Sequence, residues 1–161
     1  MTNCLEKSVP EFLASTELIS LEMLDRLEVE MLKLPQIEVD VTHHLQAGLY
    51  VREGILPAGG IYLGHFHREE HLCVVLSGRM LLINPDRSQT EICGPQAFWG
   101  KPGRKLVIVT HDVLMQNIHS TADWPDECFY DLDAREEWLY AITPAARAHR
   151  QKKSIPEKLF A

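Results

Sequence analysis

Between residues 39 and 121 the chain breaks into short aliphatic and β-branched runs divided by turn-forming words, and this rhythm constrains the fold more than any other feature. Runs at 49–56, 61–67, 72–76, 79–83, 90–92, 97–99, 106–110 and 113–118 have the length and residue types of strands. The breaks are Pro57-Ala58-Gly59-Gly60, Ser77-Gly78, Asn84-Pro85-Asp86, Gly94-Pro95 and Lys101-Pro102-Gly103, whose residues preset or tolerate turn dihedrals. Roughly eight short strands with no helices alternating between them predict an all-β core, an antiparallel barrel or jelly roll.

Helical patterns flank this core. Over residues 16–33, Leu18, Leu21, Leu24, Leu27, Met31 and Leu32 recur at helical spacing behind a cap at Ser15 or Thr16. Such a helix is expected to pack over the barrel or onto a partner subunit. Its polar face is mostly Glu and Asp, which argues against a membrane-surface role. Residues 123–140 read as an acidic helix with Trp124, Phe129, Leu132, Trp138 and Leu139 as anchors, followed by a basic tail from Arg147 to Lys153 expected to be solvated. The expected division is therefore 1–36, 37–122 and 123–161, with both ends as appendages of one domain. A chain of 161 residues, 45% of them hydrophobic, can fill one core.

The chemistry concentrates between Gly59 and Gly78, where His65, His67 and His71 stand five residues after the first glycine, then one and three residues apart, with six residues before the second glycine. Side chains alternate faces along a strand, so His65 and His67 are expected to point the same way. His71 follows the polar turn Arg68-Glu69-Glu70 and is expected to return on the next strand, making a metal site on a hairpin.

This spacing resembles the first motif of the cupins, with His71 where that family usually has glutamate. The resemblance implies a small double-stranded β-barrel with a metal inside it, and Pro102-Gly103 resembles the family's second motif without the histidine that normally follows. His119, at the end of the last strand on the same face as Val113, Met115 and Asn117, is the expected fourth ligand, and His111 is expected in a turn. Imidazole nitrogens suit a divalent transition metal, Zn, Fe, Ni or Cu, over Mg or Ca. Glu70 is a candidate oxygen ligand or general base on a metal-bound water. Tyr50 and Arg52 share a strand face and, with His44, are candidates for binding substrate; a salt bridge to a nearby acid is the competing role for Arg52.

A narrower resemblance, to small cupin-like proteins of bacteriophages and prophages, rests on Leu34-Pro35-Gln36, His44, the words from Gly48 to Glu53 and Pro57 to Gly59, His67 to His71, Pro102 to Lys105 and Asn117 to Thr121. In that group the position of His65 is often lysine, which implies that His67 and His71 are the essential pair.

Sixteen basic against 23 acidic residues give a net charge of −7, which disfavours a nucleic-acid or anionic-membrane surface. Cys4, Cys73, Cys93 and Cys128 form no CxxC pair, and no secretory leader or membrane-length apolar run is visible, so a cytoplasmic protein with reduced thiols is expected. Homodimerisation is expected from the exposed strand edges and apolar helix face. Two function classes follow. One is a metal enzyme of the oxygenase, hydrolase, lyase or isomerase kind acting on a small molecule; the other is a non-catalytic, degenerate barrel that binds a ligand or a protein.

Overall fold

The computed structural model describes residues 5–154, with side chains described over 10–152; Cys4 and residues 155–161 lie outside the described residues. In chain order the elements are α1 (Leu5–Ala14), α2 (Leu21–Met31), β1 (Asp40–Gln46), β2 (Leu49–Leu56), β3 (Ile61–Leu63), β4 (Phe66–His67), β5 (His71–Ile83), β6 (Gln89–Cys93), β7 (Gln96–Gly100), β8 (Leu106–Ser120), α3 (Glu127–Tyr130), α4 (Leu132–Leu139), β9 (Tyr140–Ala141) and α5 (Pro144–Ser154).

Two long strands organise everything. The first half of β5 pairs with β7 and with the second half of β8, which in turn pairs with β2 and, through it, β1. The second half of β5 pairs with β6 and with the first half of β8, which also pairs with β3. All these ladders are antiparallel. Register shifts between Val75 and Met80 bend the central pair from one sheet into the other, as bulges do. The result is a double-stranded β-helix, or jelly roll, with helices at its termini. Val75, Met80, Ile92, Val107, Val109 and Val113 fill the space between the halves.

The expected turns at Ser77-Gly78 and His111-Asp112 are these bulges. Gly78 has φ +93°, and a Cβ there would lie 2.0 Å from the Asp112 carbonyl oxygen. Only glycine lets the backbones approach this closely. The expected strand at 61–67 is divided: β3 joins β8, while β4 leaves the main sheet and pairs with β9. The expected hairpin of His67 and His71 is therefore absent. β1, which the strand pattern did not pick out, is a further strand along β2.

Helix α2 begins later than expected because Ser20 caps it, its hydroxyl accepting from the Met23 N–H at 3.2 Å. Leu24 and Leu27 pack with Leu106, Ile61, Leu63 and Ile83 on the outside of the second sheet. Glu28 is buried and pairs with the equally buried Arg104 guanidinium at 2.8 Å, while Asp25 pairs with it at 2.7 Å. Arg104 also donates to the Gly64 carbonyl at 2.8 Å, so the helix braces the segment leading to His65 and His67. Breaking such a buried pair typically costs about 3–5 kcal/mol, because the remaining charge is left unpaired.

The expected long helix at 123–140 is two pieces. Asp131 divides it, turning extended and accepting from the Asp133 and Ala134 N–H groups to start α4. Trp124, Cys128, Leu139, Tyr140, Ile142 and Ala146 then close over Tyr50 of β2. The basic tail, expected to be solvated, is docked through helix α5: Arg147 pairs with Glu137 and Arg150 with Glu136. Among the described residues no helix is long and apolar enough to cross a membrane.

Candidate metal centre

One inward row of side chains crosses the first sheet at its open end. Tyr50 faces His119 in the β2–β8 ladder, the Leu72–Ile118 pairing sets His71 beside His119, and His71 faces Gly100 of β7. His67 enters this row from outside the sheet. Its backbone exchanges hydrogen bonds with Gly103, at 2.9 and 3.0 Å, and pairs with Tyr140 of β9, whose ring meets the imidazole edge-on at 4.9 Å.

The three rings converge. Centroids of His67 and His71 are 4.0 Å apart, those of His71 and His119 4.9 Å, and those of His67 and His119 5.8 Å. One ring nitrogen from each lies within 4.8 Å of the others. The residues are 9%, 1% and 4% exposed. His67 Nδ1, His71 Nε2 and His119 Nε2 are buried without a hydrogen-bond partner among the described residues. His71 Nδ1 is 3.2 Å from the Glu69 carbonyl, a contact that takes the proton on Nδ1 and leaves the Nε2 lone pair free toward the cluster.

Burial holds these imidazoles neutral. Desolvation, reinforced by His71, Lys105 and His119, lowers His67 to about 2. Desolvation, with His71, Arg52 and Lys105, lowers His119 to about 4, and desolvation lowers His71 as well. A neutral imidazole is the form that ligates a metal. Three buried nitrogen donors with no carboxylate among them fit Zn, Fe, Ni or Cu.

Gly100 makes the packing feasible. A Cβ at this position would lie 2.5 Å from His71 Nε2 and 2.8 Å from Lys105 Nζ. A cavity of about 260 Å³ opens in front of the cluster. Its floor is apolar, with Leu82, Ile92, Phe98, Val107 and Met115, and its wall carries Arg52, Lys105, Asn117, Cys73 and Glu136.

The other sequence candidates are distributed differently. His65 is outside the cluster of converging ring nitrogens, and Arg150 Nη2 donates to its Nε2 at 2.9 Å. It lies in the bend between β3 and β4, so strand alternation does not align it with His67. Glu70 is exposed and does not line the cavity, whose carboxylate among the described residues is Glu136, held by Arg150. His44 is exposed opposite Val51, one register step from the face that reaches the site, and its neighbour His43 contacts the Tyr50 hydroxyl through Nδ1 at 2.7 Å.

Tyr50 is 1% exposed and forms no part of the cavity wall. Its ring lies between His119 and Trp124, with the Arg135 guanidinium 5.0 Å from its centroid. It therefore supports a candidate ligand from behind. Arg52 does line the cavity, and its guanidinium makes no ion pair or hydrogen bond among the described residues. His111 is exposed opposite Arg79, in a strand rather than a turn. Sequence reasoning missed Lys105 and Tyr140; the second stands at the end of an expected helix, where nothing announced a short strand against β4.

No protein-family model matches the chain, and no curated protein matches it. Solved structures that resemble it include a cupin domain from Bordetella pertussis Tohama I, 17% identical, covering 55% of this chain and 99% of that one with a TM-score of 0.44. A cupin superfamily protein from Desulfitobacterium hafniense DCB-2 is 7% identical and covers 57% and 85%, with a TM-score of 0.43. An RmlC-like cupin family protein with a double-stranded β-helix fold, from Methanocaldococcus jannaschii, is 13% identical and covers 52% and 80%, also at 0.43. The fold assignment rests on the strand registers described above.

Proposed function

We propose that this chain is a metal-binding barrel of the cupin type, in which His67, His71 and His119 hold a divalent transition metal and the adjoining cavity takes a small molecule. The observation that carries this reading is the convergence of three buried imidazoles, each offering one ring nitrogen within 4.8 Å of the others and each with a buried ring nitrogen that has no partner among the described residues. Buried polar atoms are normally satisfied, and one ion shared by the three rings would satisfy them together. When bound, the metal would supply Lewis acidity toward a ligand in the cavity. The protein's part is to fix the rings: Glu69 through its carbonyl sets the His71 tautomer, Tyr50 backs His119, and Tyr140 confines His67. Turnover, on this reading, would be of the oxygenase, hydrolase, lyase or isomerase kind.

The test is elemental analysis of tag-free protein purified without chelator, beside the His67→Ala/His71→Ala double variant. Near one equivalent of a transition metal, lost in the variant, supports the reading. No metal after reconstitution rejects it.

A second reading is a non-catalytic barrel serving as a ligand-binding or protein-interaction accessory factor, as the phage and prophage resemblance suggests. It is favoured by Arg52 and Lys105, two cations beside a site meant for another cation. Pairing with a second copy belongs to either reading; the exposed Trp99, Leu76 and Ile55 on the outer sheet offer the surface, and light scattering measures it.

A further inference from the structure

The charge inventory of the cavity does not balance. The three proposed ligands are neutral, so a divalent ion among them would keep its full charge, and Arg52 and Lys105 add two more positive charges on the same wall. Glu136, the only carboxylate lining the cavity among the described residues, is engaged by Arg150. Among the described residues the Arg52 guanidinium has no hydrogen-bonding or ionic partner, and the Lys105 ammonium has only a hydrogen-bond contact to the Cys73 sulfur at 4.0 Å. Arg104 and Arg150 are paired with carboxylates, Asp25 and Glu28 for the first and Glu136 for the second, while Arg135 and Arg87 are held by backbone carbonyls; the Arg52 guanidinium has neither kind of partner among the described residues. Half-buried cations without counter-charges are costly to hold in a cavity.

Asn117 lies between the two sides of this wall. It faces Arg52 across the β2–β8 ladder and Cys73 across the β8–β5 ladder, and its side-chain oxygen is buried without a partner. The amide's oxygen and nitrogen are interchangeable by rotation, so this position can turn its NH₂ toward an acceptor. Behind the polar wall the floor is apolar. A volume of about 260 Å³ is small beside the roughly 300–1,000 Å³ of drug-sized sites.

We propose that the ligand of this cavity is a small organic anion, an oxygen-anion head with a short apolar body, whose charge is held by Arg52 and Lys105 beside the metal and whose body rests on the floor of Leu82, Phe98, Val107 and Met115. This inference rests on the metal reading and deepens it. The anion supplies the missing counter-charge, so metal and anion bind cooperatively, and each tightens the other by the same factor. Arg52 presents a planar fork suited to a carboxylate or a phosphate, while Lys105 acts as a point charge. The apolar floor favours a carboxylate with a short chain over bare inorganic phosphate.

The test is calorimetric titration of zinc-loaded full-length protein with butyrate, butyramide and inorganic phosphate, repeated on Arg52→Gln, Arg52→Lys and Lys105→Gln. Butyrate is expected to bind at least tenfold more tightly than butyramide and than phosphate. Arg52→Gln and Lys105→Gln should each weaken it about tenfold or more, and Arg52→Lys should recover part of the loss, which separates charge from folding. Zinc affinity should rise in butyrate by the same factor by which zinc strengthens butyrate. Equal binding of butyramide, or butyrate binding unchanged in both charge-removing variants, overturns the proposal; phosphate binding alone overturns the organic part of it. Zinc content, measured separately, keeps the two readings apart. If the wild type takes up no zinc, the metal reading fails and the same titration on metal-free protein decides this one: butyrate binding lost in Arg52→Gln sustains it, and no binding rejects it.

Discussion

The two halves of the central strand pair run the same alternating pattern to opposite ends. In the second half of β5 and the first half of β8, inward residues are Met80, Val107 and Val109, held by hydrophobic transfer and dispersion alone. In the first half of β5 and the end of β8, inward residues are His71, Cys73, Asn117 and His119, and several of their polar atoms have no partner. One end has no inward polar atom to satisfy and forms the apolar floor of the cavity. The other presents ring nitrogens without a partner among the described residues, the feature on which the proposed metal reading rests.

The sharpest way to break this comparison is to remove two proposed ligands. His67→Ala/His71→Ala should lower metal affinity by more than about 100-fold while the far-ultraviolet circular dichroism stays that of the barrel, because the apolar end holds the fold. Next comes the reverse experiment. Met80→Ala, 2% exposed in the apolar half, should cost about 2–5 kcal/mol in denaturant unfolding yet leave metal per folded chain unchanged.

A smaller effect is expected at Gly100. Gly100→Ala places a methyl against the His71 ring and should reduce metal affinity about 10–100-fold, as displaced supporting contacts do, with a lesser shift in melting temperature. Metal-free protein should also lose stability as pH falls below 6.5. His119 titrates near 4 and His67 near 2 in the folded state against 6.5 when unfolded, so across that window the unfolded chain binds more protons and acid favours it. Thermal unfolding between pH 7 and 4 measures this, and a flat profile would contradict the burial of the cluster. At the bottom of the scale, His111→Ala should alter neither metal content nor melting temperature, since that ring is exposed on the outer bend.

Much of the site was legible, and the illegible parts share a cause. His67 and His71 were readable from their spacing between glycines, and His119 from its parity with Val113, Met115 and Asn117, because alternation survives along a regular strand. His65 lies outside the cluster because β3 ends at Leu63 and the chain bends before β4, so the two-residue period stops there. His44 sits one register step from the face of the cluster, and no single strand specifies register. Glu70 is exposed, because adjacency to His71 in sequence is not adjacency to the cluster in space. Lys105 stood in plain view after Pro102-Gly103 but was read only as the absence of a histidine.

The sequence by itself determined the class of fold, since short apolar runs cut by proline and glycine leave a chain little choice but an antiparallel sheet folded on itself. It also determined that imidazoles would gather near one end of that sheet. Tertiary structure decided which ones. Convergence depends on bulges that bend β5 and β8, on β9 drawing His67 over the open end, and on Tyr50 and Gly100 leaving room for stacked rings. These are contacts between segments distant in the chain, and local propensity carries no information about them.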